Sequence, residues 1–330
     1  MRVIGDLGTT KVFGCVSDGA ANILASMIDL KNAEVIEESH KCSSHTIHLA
    51  VTKSLSSCEL VNKVRKIVKE IKNSSNSTLK FEKEQMRILQ KKQNDYEKWK
   101  KISIMHSLEA GTHDQTALLD ELPEPNPNSY DGQPLKLMID VTTRWWSTFT
   151  MLARFRQVKD AVEETVSVGL TLAEWNEIEQ IIFILFPFAE AVQRLEAQKK
   201  PTLSTVWPIV SRLMKFLAGK TEQTPTLPDW TKFAQTANIL RTNLITEMEQ
   251  EDRFKAPTRV MKIASFLDPR FQHETAEAFP EVRNMVENLF DKPTGEVKAV
   301  PPQDSVLQSS LFSLFSSQVC CCFAFSFSVR

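Results

Sequence analysis

The spacing of apolar positions changes sharply near residue 45. Before that point VFGCV has strand character, AANILASMIDL carries apolar residues at helical spacing, and AEVIEESHKC predicts a second strand. Strand, helix and strand alternate there as in an α/β fold. After residue 45 the pattern is almost wholly helical. TIHLAVTKSLSSCELVNKVRKIVKEIKN places Ile47, Leu49, Val51, Leu55, Leu60, Val64, Ile67, Val68 and Ile71 at intervals of three and four, interrupted at Ser56 and Ser57, which predicts two amphipathic helices. LKFEKEQMRILQKKQNDYEKWKK predicts a charged helix with a narrow apolar stripe. Two further helices are expected between Leu170 and Gly219, opened by the capping-box pair Thr171 and Glu174 and separated near Pro201. Their apolar residues Trp175, Ile178, Ile182, Phe186, Val206, Ile209, Leu213 and Phe216 read as bundle core.

Two stretches break the periodicity. EAGTHDQTALLDELPEPNPNSYDGQP has the composition of an exposed loop, over about residues 110–134. Past about Asp291 a linker, PTGEVKAVPPQD, leads into SVLQSSLFSLFSSQVCCCFAFSFSVR. Leu311 to Val329 is uncharged and about the length of a membrane span, but interleaved serines oppose insertion. The expectation is a disordered or aberrant tail over 291–330, with no membrane partner.

Charge narrows the functional classes. With 40 Lys and Arg against 41 Asp and Glu the net charge is −1, so nucleic acid would have to be met by a local patch. Lys63, Arg65, Lys66, Lys69 and Lys72 form one basic cluster, and Lys91, Lys92, Lys98, Lys100 and Lys101 a second; acids interrupt both, which reads first as a solvated helical face. The six cysteines show no disulfide framework and MRVIGDLGTTK has no secretory h-region, so an intracellular, reducing location is expected.

Candidate chemistry is confined to a few residues. Asp18 follows the first strand, just before the helix AANILASMIDL, where a lone Asp serves as a helix N-cap. HKCSSHTIH gathers His40, Cys42, His45 and His48, which leaves zinc binding, packing at a strand-to-helix junction and a DNA-proximal role for His45 as readings. Arg144 and Trp145 pair a phosphate-binding cation with a stacking face, though a Trp before TFTML also suits a core anchor.

Four fragments in order, CVSDGAAN, KCSSHTIHLAV, DVTTRWWSTFTMLARF and ASFLDPRF, resemble landmarks of the hAT transposase superfamily and of the domesticated BED-type zinc-finger proteins derived from it. LTLAEWNEIEQIIFILFPFAEAVQRL and PTLSTVWPIVSRL extend the resemblance, which covers about residues 4–275. It implies an α/β plus all-α fold: a partial RNase H-like core (1–45) interrupted by a long helical insertion domain (46–290). In active members two Asp and one Glu hold two divalent ions for attack on phosphodiesters. Asp18 matches the second Asp. The first Asp and the Glu have no match here, nor do the BED finger and the C-terminal dimerisation segment.

Cys42 and His45 match the family's Cys-x-x-His, with Cys42 structural, and Arg144 and Trp145 match its Arg-Trp pair beside the DNA. The resemblance therefore implies a nuclear, DNA-associated protein, with protein partners or related hAT-derived proteins as partners, no autonomous transposase activity and no cofactor of its own. The rival reading is a DDE transposase that uses Mg²⁺ or Mn²⁺, its missing carboxylates supplied by flanking sequence.

Overall fold

A computed structural model describes residues 12–17, 20–109, 134–141, 145–167, 169–196, 202–220 and 227–290. The expected loop, the linker and tail, Pro201, Asp18 and Arg144 lie outside these residues. Among the described residues the protein is mostly helical, with one two-stranded parallel sheet. No helix among them is long and apolar enough to cross a membrane.

The elements run β1 (Val12–Ser17), α1 (Ala21–Asn32), β2 (Ile36–Lys41), α2 (Ser43–Ser56), α3 (Glu59–Asn73), α4 (Ser75–Glu109), α5 (Trp145–Gln157), α6 (Lys159–Thr165), α7 (Leu172–Leu195), α8 (Leu203–Ala218), α9 (Gln235–Glu249), α10 (Asp252–Lys255), α11 (Arg259–Leu267), α12 (Gln272–Ala278) and α13 (Val282–Phe290). They fall into two compact units. The first comprises Met1–Ser54, Phe186–Lys232 and Arg241–Arg330, and the second Leu55–Leu185 with Phe233–Leu240.

In the first unit β1 and β2 pair in parallel, Gly14 opposite Glu38 and Ser17 opposite Lys41. Parallel neighbours need a crossover, and α1 provides it. It seals the sheet with Met27 against Ile36, flanked by Cys15, Ile23 and Leu30. The cap position of α1 is held by Ala20.

Gly14 lets α11 approach the sheet, since a Cβ there would lie 3.2 Å from Val260 Cγ1. Behind α11, Ile263, Phe266, Val282 and Val286 form a small core with α13. At the end of α8, Gly219 takes φ +88°, and a Cβ would overlap the Trp230 ring at 2.2 Å, so both the backbone and the packed indole require glycine.

The second unit is a helical bundle. On α3, Leu60, Val61, Val64, Ile67, Val68 and Ile71 are buried in the three-and-four rhythm that the sequence predicts. They pack with α4 and α5, while α6 lies along α4. Phe155 stacks on Trp175 at 5.0 Å between ring centres, with Lys159 Nζ 5.3 Å from the indole centre. Thr171 and Glu174 form the expected capping box, the Glu174 amide donating to Thr171 Oγ1 and the Thr171 amide to Glu174 Oε2.

Two apolar positions, Leu49 of the predicted α2 spacing and Phe186 of the expected bundle core, are exposed. Leu49 is 54% exposed because the buried face of α2 is Ile47, Ala50, Val51 and Leu55, and a residue two places from Ile47 points away from it. Phe186 is 52% exposed because the buried stripe of Ile181, Leu185, Phe188 and Val192 lies roughly a third of a turn or more round α7 from it. Trp175, Ile178, Val206 and Leu213 are buried, and Ile182, Ile209 and Phe216 half-buried.

Candidate functional site

Three of the four landmark fragments lie wholly within described residues, or nearly so, and each builds a polar node. The first sits where β2 passes into α2. Cys42 is the single residue between strand and helix. Its amide donates to Ser17 O, so it extends the pairing of β2 with β1, and its carbonyl accepts from the Thr46 amide at 3.0 Å and from Thr46 Oγ1 at 3.1 Å. These are main-chain bonds, and the Cys42 thiol is half-buried.

Arg253, from the short helix α10, closes this node. It is 8% exposed, and its guanidinium donates to Lys41 O, to Thr46 Oγ1 at 2.7 Å and to Glu251 Oε1 at 3.0 Å. Burial pulls its pKa below the usual arginine value, partly offset by Glu251. Nothing in EDRFKAP marks this arginine in the sequence.

The four candidate ligands of HKCSSHTIH do not gather. His40 is buried, its Nε2 3.4 Å from Glu38 Oε2, on a strand whose Glu38 also accepts from the Val260 amide. Burial pushes the Glu38 pKa up, but His40, that amide and Arg259 outweigh it and hold the carboxyl below its usual range. His45 is exposed and its ring stacks on His48, with centroids 6.1 Å apart and planes at 9°. Among the described residues no group of three or more His, Cys, Asp or Glu is placed to hold a metal ion.

The second node, in the second unit, is DVTTRWWST. Asp140 is 8% exposed, and its Oδ2 accepts from Arg65 Nε at 2.6 Å and from Thr148 Oγ1 at 3.1 Å. Ser147 Oγ accepts from the Val141 amide at 2.7 Å and donates to the Val141 carbonyl at 3.0 Å. Trp145 is 1% exposed beneath them, whereas Trp146 is 42% exposed, and the two rings meet edge to face. The indole open to solvent is thus the neighbour of the predicted one. Arg144 lies outside the described residues.

The basic cluster on α3 is largely consumed by this packing. Arg65 pairs with Asp140, Lys63 with Glu174 at 2.6 Å, and Lys72 donates to Leu137 O. An open groove of about 680 Å³ beside Lys63 and Lys66 also carries Glu59, Glu174 and Glu177, so it presents both signs.

The third node is LDPRF in the first unit. Asp268 ends α11 and accepts from Ser204 Oγ at 2.8 Å and from the Arg270 guanidinium at 2.7 and 3.0 Å. Ser265 Oγ donates in turn to Ser204 O, so α8 and α11 are tied twice. The Arg270 guanidinium, with Ser204 and the Arg270 amide, holds the Asp268 pKa at about 2. A carboxyl whose folded pKa lies below its unfolded one stabilises above the unfolded value and loses that contribution as pH falls. Acid titration of unfolding should therefore show about 1–2 kcal/mol lost between about pH 4 and pH 2. Asp268→Asn should flatten that part of the profile. A variant as acid-sensitive as the parent would remove Asp268 from the linkage.

No family model matches the chain. A segment of 90 residues is 32% identical to a protein of the fungus Talaromyces stipitatus named "Putative transcriptional regulator tpeD". The match covers 26% of this chain and 11% of the fungal protein, so the chain matches about a tenth of that protein's length.

Proposed function

We propose that this chain is a hAT transposase-derived, DNA-associated regulatory protein of the nucleus, without autonomous strand-cleaving activity. The observation that carries the regulatory part is the 32% identical segment shared with the fungal protein named as a transcriptional regulator. The transposase ancestry rests on the order of the four landmark fragments. The β1–α1–β2 parallel unit, with Asp18 directly after the last residue of β1, supports a partial RNase H-like core over residues 1–45. Within the insertion domain proposed over 46–290, the helical unit of Leu55–Leu185 with Phe233–Leu240 is the part that supports it.

In this reading Asp18 is a remnant metal-ligand position, and His45 and Arg144 are the DNA contacts. Trp145 is a buried anchor beneath the start of α5. The base-stacking face belongs to Trp146, which occupies the place of the usual family Asn. The buried ion pair of Asp140 and the bonded Asp268 account for two landmarks by packing alone, which suits a scaffold retained after the chemistry is lost.

The test is fluorescence anisotropy of a mixed-sequence duplex with the purified chain, alongside a nicking assay on hairpin-ended DNA with Mg²⁺ or Mn²⁺. Binding is expected that weakens at least tenfold between about 50 and 200 mM salt, as phosphate contacts require, with no nicking. Absence of binding at low salt would overturn the DNA-associated reading. Nicking that disappears in Asp18→Asn would make the chain an active DDE transposase instead.

A further inference from the structure

The open groove of about 680 Å³ lies between α3 and α7, wholly within the second unit. That is the size of a small-ligand or short-peptide site. Leu60 is buried in its lining, and Lys63 with Glu174 bridges the two helices at 2.6 Å. The bridge is a fixed strut, because Glu174 is also held in the capping box with Thr171.

The other polar groups are sorted along the groove. Glu59, Asn62 and Lys66 recur at helical spacing on one side of α3, and the helix axis advances about 10 Å from Glu59 to Lys66. Glu177 belongs at the Glu59 end. Burial pushes the pKa of the neighbouring Cys58 thiol up, and the Glu177 carboxylate adds to that rise, which requires the two to be close. Asn62 Oδ1 accepts from Arg65 Nη1 at 2.7 Å, so its amide nitrogen is left as a donor on the way to Lys66. Two carboxylates thus stand at the start of α3 and an ammonium stands further along it.

None of Glu59, Lys66 and Glu177 has a salt bridge or side-chain hydrogen bond among the described residues. Lys63 and Glu174, which could have matched them, already neutralise each other. Unmatched charges of both signs in one concavity suit a ligand that carries both signs in the complementary order. A wholly anionic ligand would meet two carboxylates, which disfavours a nucleic-acid backbone here.

From this arrangement we propose that the α3–α7 groove binds an extended peptide segment of a partner protein with one basic and one acidic side chain two residues apart, the basic one between Glu59 and Glu177 and the acidic one at Asn62 and Lys66. Residues at that spacing share a face of an extended chain and lie about 7 Å apart, which long side chains widen to the roughly 10 Å required. The site is independent of the DNA reading.

The test uses the full chain and fluorescein-labelled peptides containing Arg-Ala-Glu, Glu-Ala-Glu or Arg-Ala-Arg, followed by anisotropy at low salt. Saturable binding of the Arg-Ala-Glu peptide is expected, about tenfold tighter than either of the others and weakened about tenfold by the double variant Glu59→Gln, Glu177→Gln. Lys66→Glu should turn the preference toward Arg-Ala-Arg, which a merely structural role of these side chains would not do. An unchanged circular dichroism spectrum verifies that the variants fold. No saturable binding of the Arg-Ala-Glu peptide, equal binding of all three, or a preference unmoved by Lys66→Glu would each overturn the proposal. So would a concentration-dependent dimer abolished by Lys66→Glu, which would give the groove to a second copy.

Discussion

Asp140→Ala should destabilise the second unit by about 3–5 kcal/mol, because it leaves the Arg65 guanidinium, only 17% exposed, beside a vacated carboxylate site. Thr148 loses its acceptor in the same step. Thermal unfolding followed by circular dichroism should show a fall of about 10 °C or more. The companion Arg65→Met in the Asp140→Ala background should recover a large part of this loss, since the unpaired charge is then gone. A cost below about 1 kcal/mol for Asp140→Ala would show that the pair is solvated and the node weak.

Arg253→Ala should cost about 2–4 kcal/mol in the first unit. One guanidinium serves Lys41 O, Thr46 Oγ1 and Glu251 from a buried position, so its removal leaves acceptors on β2 and α2 unsatisfied together. Arg253→Lys should recover little, because a single ammonium cannot reproduce the planar fork. Hydrogen exchange checks the placement of the effect: amides around residues 36–46 should lose protection first. If those amides are unchanged while stability falls elsewhere, Arg253 does not hold the strand-to-helix junction.

Periodic elements were legible in the chain wherever one face is buried. The spacing of Val64, Ile67, Val68 and Ile71 specifies α3, and Thr171 with Glu174 marks the start of α7, because local hydrogen bonding and a three-and-four stripe depend on near neighbours alone. Phe186 departs from the expected core because hydrophobicity states that a residue gains from burial, not that a partner lies opposite it. The polar nodes were legible only in part. Asp140 and Asp268 stand inside landmark fragments, but their partners Arg65 and Ser204 are 75 and 64 residues away. Arg65 stands among cationic neighbours that read first as a solvated helical face, whereas in the fold a buried carboxylate holds it. Arg253 carries no local signal, since its purpose lies in residues some two hundred positions upstream.

That separation sets the timing of synthesis. β1, β2 and the start of α2 leave the ribosome early, yet the groups that secure them come later by 207 residues for Thr46 with Arg253, 212 for Lys41 with Arg253 and 222 for Glu37 with Arg259. At ordinary elongation rates the interval is roughly 10–40 s. Through that interval the nascent sheet has α1 on one face and neither α11 nor Arg253 in place, so its apolar residues are open to chaperones. The second unit is drawn mainly from the continuous span Leu55–Leu185, with only Phe233–Leu240 added later, so most of its chain is present long before Arg253 and Arg259 are made.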